Sequence, residues 1–247
     1  MARSAKNHKG VGARVFSRKN SLDGQGTSLN YSGMKIQANS RLLMIGDSIT
    51  DCGRKRPVGE GLQDNALGNG YVALVAATLG AVHPEARIRV LNMGISGNTV
   101  RHMKARWSTD VLAKKPDWLS IMIGINDVWQ QFENRPGESV HPDEYRTSLD
   151  ELVAGTKSKV KGLILMTPYL IEPNRRDPMR ARMDEYGGFV REIAARHKTV
   201  FVDTQAALDP VLAATSVAEL APDRVHPNLV GHTVLARAFL KAIGCDD

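Results

Sequence analysis

Cysteine is scarce in this chain of 247 residues, which has only two, Cys52 and Cys245, far apart. That excludes a disulfide framework and a zinc-binding cysteine cluster, and free thiols fit a reducing compartment. Long apolar runs are missing as well. Nothing approaches the roughly 18 consecutive apolar residues of a membrane-spanning helix, and the basic N-terminus lacks the apolar stretch of a secretory signal. The expected address is therefore the cytoplasm, with no membrane partner. No internal repeat is present, which excludes a solenoid or propeller.

Hydrophobic residues at 42% and charged residues at 24% fit one sizeable α/β domain, and nothing requires two. The formal net charge is +7, but residues 1–33 carry six basic side chains against Asp23, which leaves the rest of the chain near neutral at +2. A near-neutral body argues against a basic nucleic-acid-binding face. Residues 1–33 are rich in Gly, Ser, Asn and Lys without any period and read as a disordered basic tail, and residues 34–247 read as the folded domain.

The stretch Met44-Ile45-Gly46-Asp47-Ser48-Ile49-Thr50-Asp51 organises the remainder. Leu42 to Ile45 reads as a strand buried on both faces, Gly46 permits a tight turn, and Ser48 then stands at the strand's carboxyl end. Ligands of open α/β sheets bind at such ends. A helix cap at Asp47 or Ser48 explains the same residues, so the rest of the chain must decide. Further strands are predicted over Arg87–Leu91, Trp118–Ile123, Gly162–Met166 and Val200–Val202. Helices are predicted over Tyr71–Leu79 with Gly80 as C-cap, Thr99–Ala113, His141–Lys157, Arg176–Arg196 and Leu229–Ile243. Arg54–Asn69 reads as a loop. Alternating strands and helices predict parallel βαβ units with both sheet faces covered.

Three predicted strands end in Gly46-Asp47-Ser48, Asn92-Met93-Gly94 and Gly124-Ile125-Asn126-Asp127. In a parallel sheet these ends share one edge, where a hydroxyl, a backbone N–H and a side-chain amide are the groups acyl transfer needs. Asp223-Arg224-Val225-His226-Pro227, before the last helix, sets an acid three residues ahead of an imidazole. That spacing lets a carboxylate reach Nδ1 and leaves Nε2 for a nucleophile. Glu138-Ser139-Val140-His141-Pro142 repeats the pattern, and spacing alone does not choose between them.

Together these blocks resemble the GDSL, or SGNH, hydrolases, and are most similar to the bacterial xylan and oligosaccharide acetylesterases among them. The resemblance extends through Gly46 to Arg54, Gly94 to Val100, Gly124 to Trp129 and Asp203 to Ala207, and it covers nearly everything from Met34 onward. It implies a three-layer α/β/α flavodoxin-like sandwich with a five-stranded parallel sheet. It also implies Ser48 as nucleophile, His226 as base and then acid in preference to His141, and Asp223 as the residue that orients His226. The backbone N–H groups of Ser48 and Gly94 and the side chain of Asn126 become the oxyanion hole. One departure stands beside this: those acetylesterases tend to have a bulky aromatic before the acid, where this chain has Pro222.

The function expected is hydrolysis of small O-acyl esters, foremost O-acetyl groups on sugars or xylo-oligosaccharides, through an acyl-enzyme that needs no cofactor and no metal. The partner expected is thus a small acylated carbohydrate, with assembly into a homo-oligomer left open. Two other readings remain, a lysophospholipase or thioesterase on the same machinery and a non-catalytic carbohydrate-binding protein. Trp129 reads either as a stacking platform for a sugar ring or as a packed core residue, whereas Trp107 and Trp118 read as core. Cys52 lacks a matching catalytic role. The run Arg175, Arg176, Arg180 and Arg182 reads as a solvated face.

Overall fold

The computed structural model describes residues 33–133 and 137–245. The expected tail, apart from Gly33, lies outside the described residues. The strands are β1 (Arg41–Gly46), β2 (Gly59–Glu60), β3 (Arg89–Asn92), β4 (Trp118–Met122), β5 (Gly162–Met166) and β6 (Val200–Val202). They form one sheet in the order β2-β3-β1-β4-β5-β6. From β3 to β6 every pairing is parallel.

Those five strands carry the flavodoxin-like order, in which the chain first steps to one side of β1 and then to the other. The reversal falls between β1 and β4, whose carboxyl ends lead into Ser48 and Asn126. The sixth strand is an addition to the expected five. β2 is a two-residue antiparallel edge, pairing Gly59 with Asn92 and Glu60 with Leu91, within the stretch read as a loop. Two residues carry no periodicity, so sequence pattern offers no sign of it.

The helices are α1 (Ser48–Asp51), α2 (Tyr71–Val82), α3 (Val100–Ala105), α4 (Trp107–Asp110), α5 (Ile125–Phe132), α6 (Pro142–Lys157), α7 (Pro178–His197), α8 (Thr204–Leu212), α9 (Val217–Leu220) and α10 (Leu229–Ile243). One set, α2, α8 and α10, packs together, and α3, α5, α6 and α7 form another linked set. Leu42 to Ile45 of β1 and Leu119 to Met122 of β4 are buried between these layers, as residues of an inner parallel strand must be. Trp107 and Trp118 lie in this core, their indole N–H groups donating to Thr156 and Gln37.

Three expectations change in the structure. Helix α2 runs through Gly80, which has open space around it, and stops at His83 ahead of Pro84. Pro84 cannot continue a helical ladder, so the proline rather than the glycine sets the end. The helix expected over Thr99–Ala113 breaks at Arg106 into α3, α4 and a short 3-10 turn at Leu112–Lys114. Arg106 sends its guanidinium to the carbonyls of Met93 and Gly46 and to the Asn98 side chain. Arg180 is not part of a solvated face, because it is buried and paired with Asp184 and Asp209. Burying an arginine is costly without such partners.

Candidate active site

β1 delivers its last residue into a space that admits only glycine. A Cβ on Gly46 would stand 2.3 Å from the Met122 carbonyl oxygen and 2.3 Å from Thr50 Oγ1. Asp47 follows as the N-cap of α1, its Oδ1 accepting the Ile49 N–H at 3.0 Å. Burial pushes the Asp47 carboxyl up to about 7. Ser48 is therefore the first residue of a helix turn, and among the described residues its N–H has no protein partner. An unsatisfied N–H at a helix start is the ordinary consequence of helix geometry.

The acid and the imidazole meet in a tight loop before α10. Asp223 Oδ1 accepts the N–H groups of Val225 at 3.0 Å and His226 at 2.9 Å, while Arg224 between them takes a left-handed φ of 67°. Those two bonds fix the carboxylate and aim Oδ2 at His226 Nδ1, 2.6 Å away. Burial works to raise the Asp223 carboxyl, but bonds from the His226 side chain and from the two backbone N–H groups prevail and hold it below the usual range. A carboxylate on Nδ1 places the ring proton there, which leaves Nε2 free to accept. Nε2 lies 2.7 Å from Ser48 Oγ. Arg224 pins the loop from behind through ion pairs to Glu172 at 3.0 Å and Asp177 at 2.9 Å. His141 instead flanks the start of α6, exposed, and His226 is the histidine set against Ser48. Pro222 is exposed on the same loop.

The Gly94 N–H is not available as the sequence led us to expect. It donates to Asn92 Oδ1 at 2.8 Å, and Gly94 is buried against α1, where a Cβ would come within 2.3 Å of the Asp51 nitrogen. Glycine is needed there for close packing. Through the rest of that turn, Ile95 N–H donates to Gly46, Ser96 N–H to Asp51, Asn98 N–H to Ile95, and Thr99 N–H to His102. One N–H of the turn is left without a partner among the described residues, that of Gly97, an exposed residue with a φ of 79°. Sequence reasoning missed Gly97. The signal was Asn92, a polar residue closing an apolar strand and able to consume the first glycine's N–H.

Asn126 enters at the first turn of α5, after Gly124 at a φ of 134°. Its Nδ2 donates to the Asn98 carbonyl at 3.0 Å, which ties the amide to the turn that carries Gly97. An amide nitrogen has two hydrogens, so one remains. Trp129, one helical turn on, sets its ring 6.1 Å from the His226 ring at a tilt of 55°, and is half-buried. Asp127 is fully buried, its Oδ1 accepting the Val100 N–H at 2.9 Å while Oδ2 has no partner among the described residues. Burial pushes its carboxyl up to about 8.

Cys52 closes α1 with its Sγ 3.3 Å from the Ile49 carbonyl and 3.4 Å from His232 Nε2. Burial pushes the thiol up to about 12, which keeps it protonated. Among the described residues no group of three or more His, Cys, Asp or Glu is arranged to hold a metal ion. A cavity of about 770 Å³, lined by Phe201, Val211, Val234 and Lys241 among others, shares no lining residue with the Ser48 cluster. Chemistry, not depth, marks the site.

Comparison with known proteins bears on the same residues. The model of the GDSL-like lipase/acylhydrolase family matches residues 44–234. An acetylxylan esterase of Geobacillus stearothermophilus is 59% identical over 213 residues, spanning 85% of this chain and 97% of that protein. The crystal structure of Axe2, an acetylxylan esterase from the same organism, superposes with a TM-score of 0.84, covering 85% of this chain and 97% of that one. LAE5, described as an alpha/beta hydrolase enzyme from the metagenome of Lake Arreo in Spain, is 54% identical, with a TM-score of 0.85 over 87% of this chain and 100% of its own.

Proposed function

This chain belongs to the GDSL-like lipase/acylhydrolase family and is a carboxylic ester hydrolase, and on that premise we propose that it removes O-acetyl groups from xylo-oligosaccharides through an acetyl-enzyme on Ser48. The observation that carries the mechanism is the unbroken hydrogen-bond line from Ser48 Oγ through His226 to Asp223, 2.7 Å and 2.6 Å long. The substrate rests on the 59% identity to an acetylxylan esterase across nearly that whole protein.

The steps follow from the geometry. Ser48 Oγ attacks the acetyl carbonyl carbon as its proton passes to His226 Nε2, and Asp223 stabilises the imidazolium so formed. The carbonyl oxygen becomes an oxyanion facing the N–H groups of Ser48 and Gly97 and the spare N–H of Asn126. Collapse expels the sugar oxygen, which takes the proton from His226, and leaves Ser48 acetylated. Water activated by His226 then repeats the sequence and releases acetate. Trp129, beside His226, offers an apolar face to the sugar ring.

The test is kcat/KM over nitrophenyl esters of increasing acyl length, followed by acetylated xylo-oligosaccharides. Preference for acetate together with deacetylation of the sugar is the expected result. A preference for long acyl chains moves the assignment to a lysophospholipase or thioesterase.

A further inference from the structure

The reaction sequence makes no use of Asp51, yet this carboxylate is 3% exposed and is the last residue of α1, one helical turn beyond Ser48. Its Oδ2 accepts both the backbone N–H and the hydroxyl of Ser96, each at 3.0 Å. The same carboxylate is gripped by Arg56, with Nη2 2.6 Å from Oδ2 and Nη1 3.0 Å from Oδ1. Burial works to raise the Asp51 carboxyl, but the bonds from Arg56 and Ser96 prevail and hold it below the usual range, so it is charged at neutral pH.

Ser96 stands immediately before Gly97. The peptide plane joining them contains the Gly97 N–H, so once the Ser96 nitrogen and side chain are held, one soft backbone dihedral separates that anchor from the free N–H. On its other side the turn is held through Asn98, whose carbonyl accepts from Asn126 and whose side chain accepts from Arg106. Gly97 is exposed with open space where a Cβ would be, and the turn's own closing bond, from Asn98 N–H to the Ile95 carbonyl, is 3.2 Å long. The nucleophile and the oxyanion donor lie on different elements, α1 and the loop after β3. Asp51 joins the two.

Resting on the assignment of Ser48 as nucleophile, we propose that Asp51 is a positioning residue of the reaction. By clamping Ser96 to the nucleophile's own helix it sets the distance between Ser48 Oγ and the Gly97 N–H. Arg56 balances the charge, which would otherwise oppose an oxyanion forming nearby.

The experiment compares the full chain with Ser48→Ala, Asp51→Asn, Ser96→Ala and the Asp51→Asn/Ser96→Ala double variant. It measures kcat and KM on 4-nitrophenyl acetate, affinity for methylboronic acid as a tetrahedral mimic, and near-UV circular dichroism as the readout of folding. Asp51→Asn is expected to lower kcat on the order of 10- to 100-fold, the scale of a misplaced catalytic group. KM stays within about 2-fold, boronate affinity weakens by a similar factor and the dichroism is unchanged. Ser96→Ala keeps the backbone bond and loses less, and the double variant is no slower than Asp51→Asn because both act through one contact. The proposal is overturned by a folded Asp51→Asn with kcat within about 2-fold of the parent, by a rate loss that merely tracks the unfolded fraction, or by additive losses in the double variant. Should Asp51→Asn fail to fold, Ser96→Ala decides alone, since Ser96 is exposed: a several-fold fall in kcat in a folded protein supports the clamp and an unchanged kcat overturns it. An inactive Ser48→Ala beside a fully active Asp51→Asn refutes the clamp only, whereas an active Ser48→Ala refutes the nucleophile and the clamp together.

Discussion

Asn126 Nδ2 and the carbonyl of Asn98 lie 3.0 Å apart, which fixes the amide by one hydrogen and leaves the other for the proposed oxyanion. In the proposed mechanism, truncation at Asn126 removes an oxyanion donor without touching Ser48. Asn126→Ala is expected to lower kcat on the order of 100- to 1,000-fold with little change in KM. Steady-state kinetics on a nitrophenyl acetate check this, and a variant retaining more than about a tenth of the parent kcat would place the oxyanion elsewhere.

The two glycines of the neighbouring turn should part company under substitution. A Cβ on Gly94 meets backbone atoms, the Asp51 nitrogen at 2.3 Å and the Thr50 carbonyl carbon at 2.7 Å, so Gly94→Ala acts first on stability, by about 1 to 3 kcal/mol or more. A Cβ on Gly97 meets nothing, but the φ of 79° is strained for alanine by about 1 to 2 kcal/mol. Gly97→Ala should accordingly cost more in kcat per folded molecule than in melting temperature. Thermal melts run beside kinetics separate the two, and equal behaviour of both variants would contradict the reassigned donor.

The two buried acids give stability a definite pH dependence. Asp127 is pushed up to about 8 and Asp47 up to about 7, both chiefly by burial, whereas an unfolded aspartate titrates near 3.9. The folded state therefore holds protons that the unfolded state has released. Stability from these groups is complete below about pH 4 and is lost as pH rises through their folded values, with a slope of up to about 1.4 kcal/mol per pH unit for each. His232, buried and pulled down to about 4, has the opposite sign. Its contribution is complete above about pH 6.5 and falls away as pH drops toward 4. Below about pH 6.5 the rise from His232 offsets only one of the two acids, and above it neither, so melting temperature should fall as pH rises from about 4 toward about 8. Asp127→Asn should flatten the alkaline decline, and a variant with the parent slope would contradict the neutral acid at Asp127.

Trp129 should separate large substrates from small ones. Its ring stands beside His226 and takes no part in proton transfer. For acetylated xylo-oligosaccharides, Trp129→Ala is expected to raise KM about 10-fold, equivalent to about 1.4 kcal/mol of binding. On nitrophenyl acetate it should change little. Equal losses on both substrates would assign Trp129 to the packing of His226.

The strands that position this chemistry were legible because burial on both faces writes itself as short apolar runs ended by glycine. Gly162–Met166, Val200–Val202 and Leu229–Ile243 have the same bounds in the sequence reading and in the structure. Short elements without an apolar run were not legible. β2, α1 and α9 have two to four residues and no period to detect, and the split at Arg106 depends on carbonyls of Met93 and Gly46, distant in sequence. The site shows the same division. Asp223 and His226 are close enough along the chain for their spacing to allow a contact, but Glu138 and His141 share that spacing, and the family resemblance made the choice. The sequence reading took Gly94 and missed Gly97, because the Gly94 N–H is taken by the Asn92 side chain two residues before it and the turn beyond is held by the Asp51 carboxylate from another segment.

The central claim is that the acetyl group passes through Ser48. Acid quenching of the wild-type protein during turnover of an acetyl ester, followed by peptide mass spectrometry, tests it most directly. One acetyl group should appear on the peptide containing Ser48 and should be absent from Ser48→Ala, which should also be inactive. Continued hydrolysis by a folded Ser48→Ala, or an acetyl group trapped on another residue, would contradict the account.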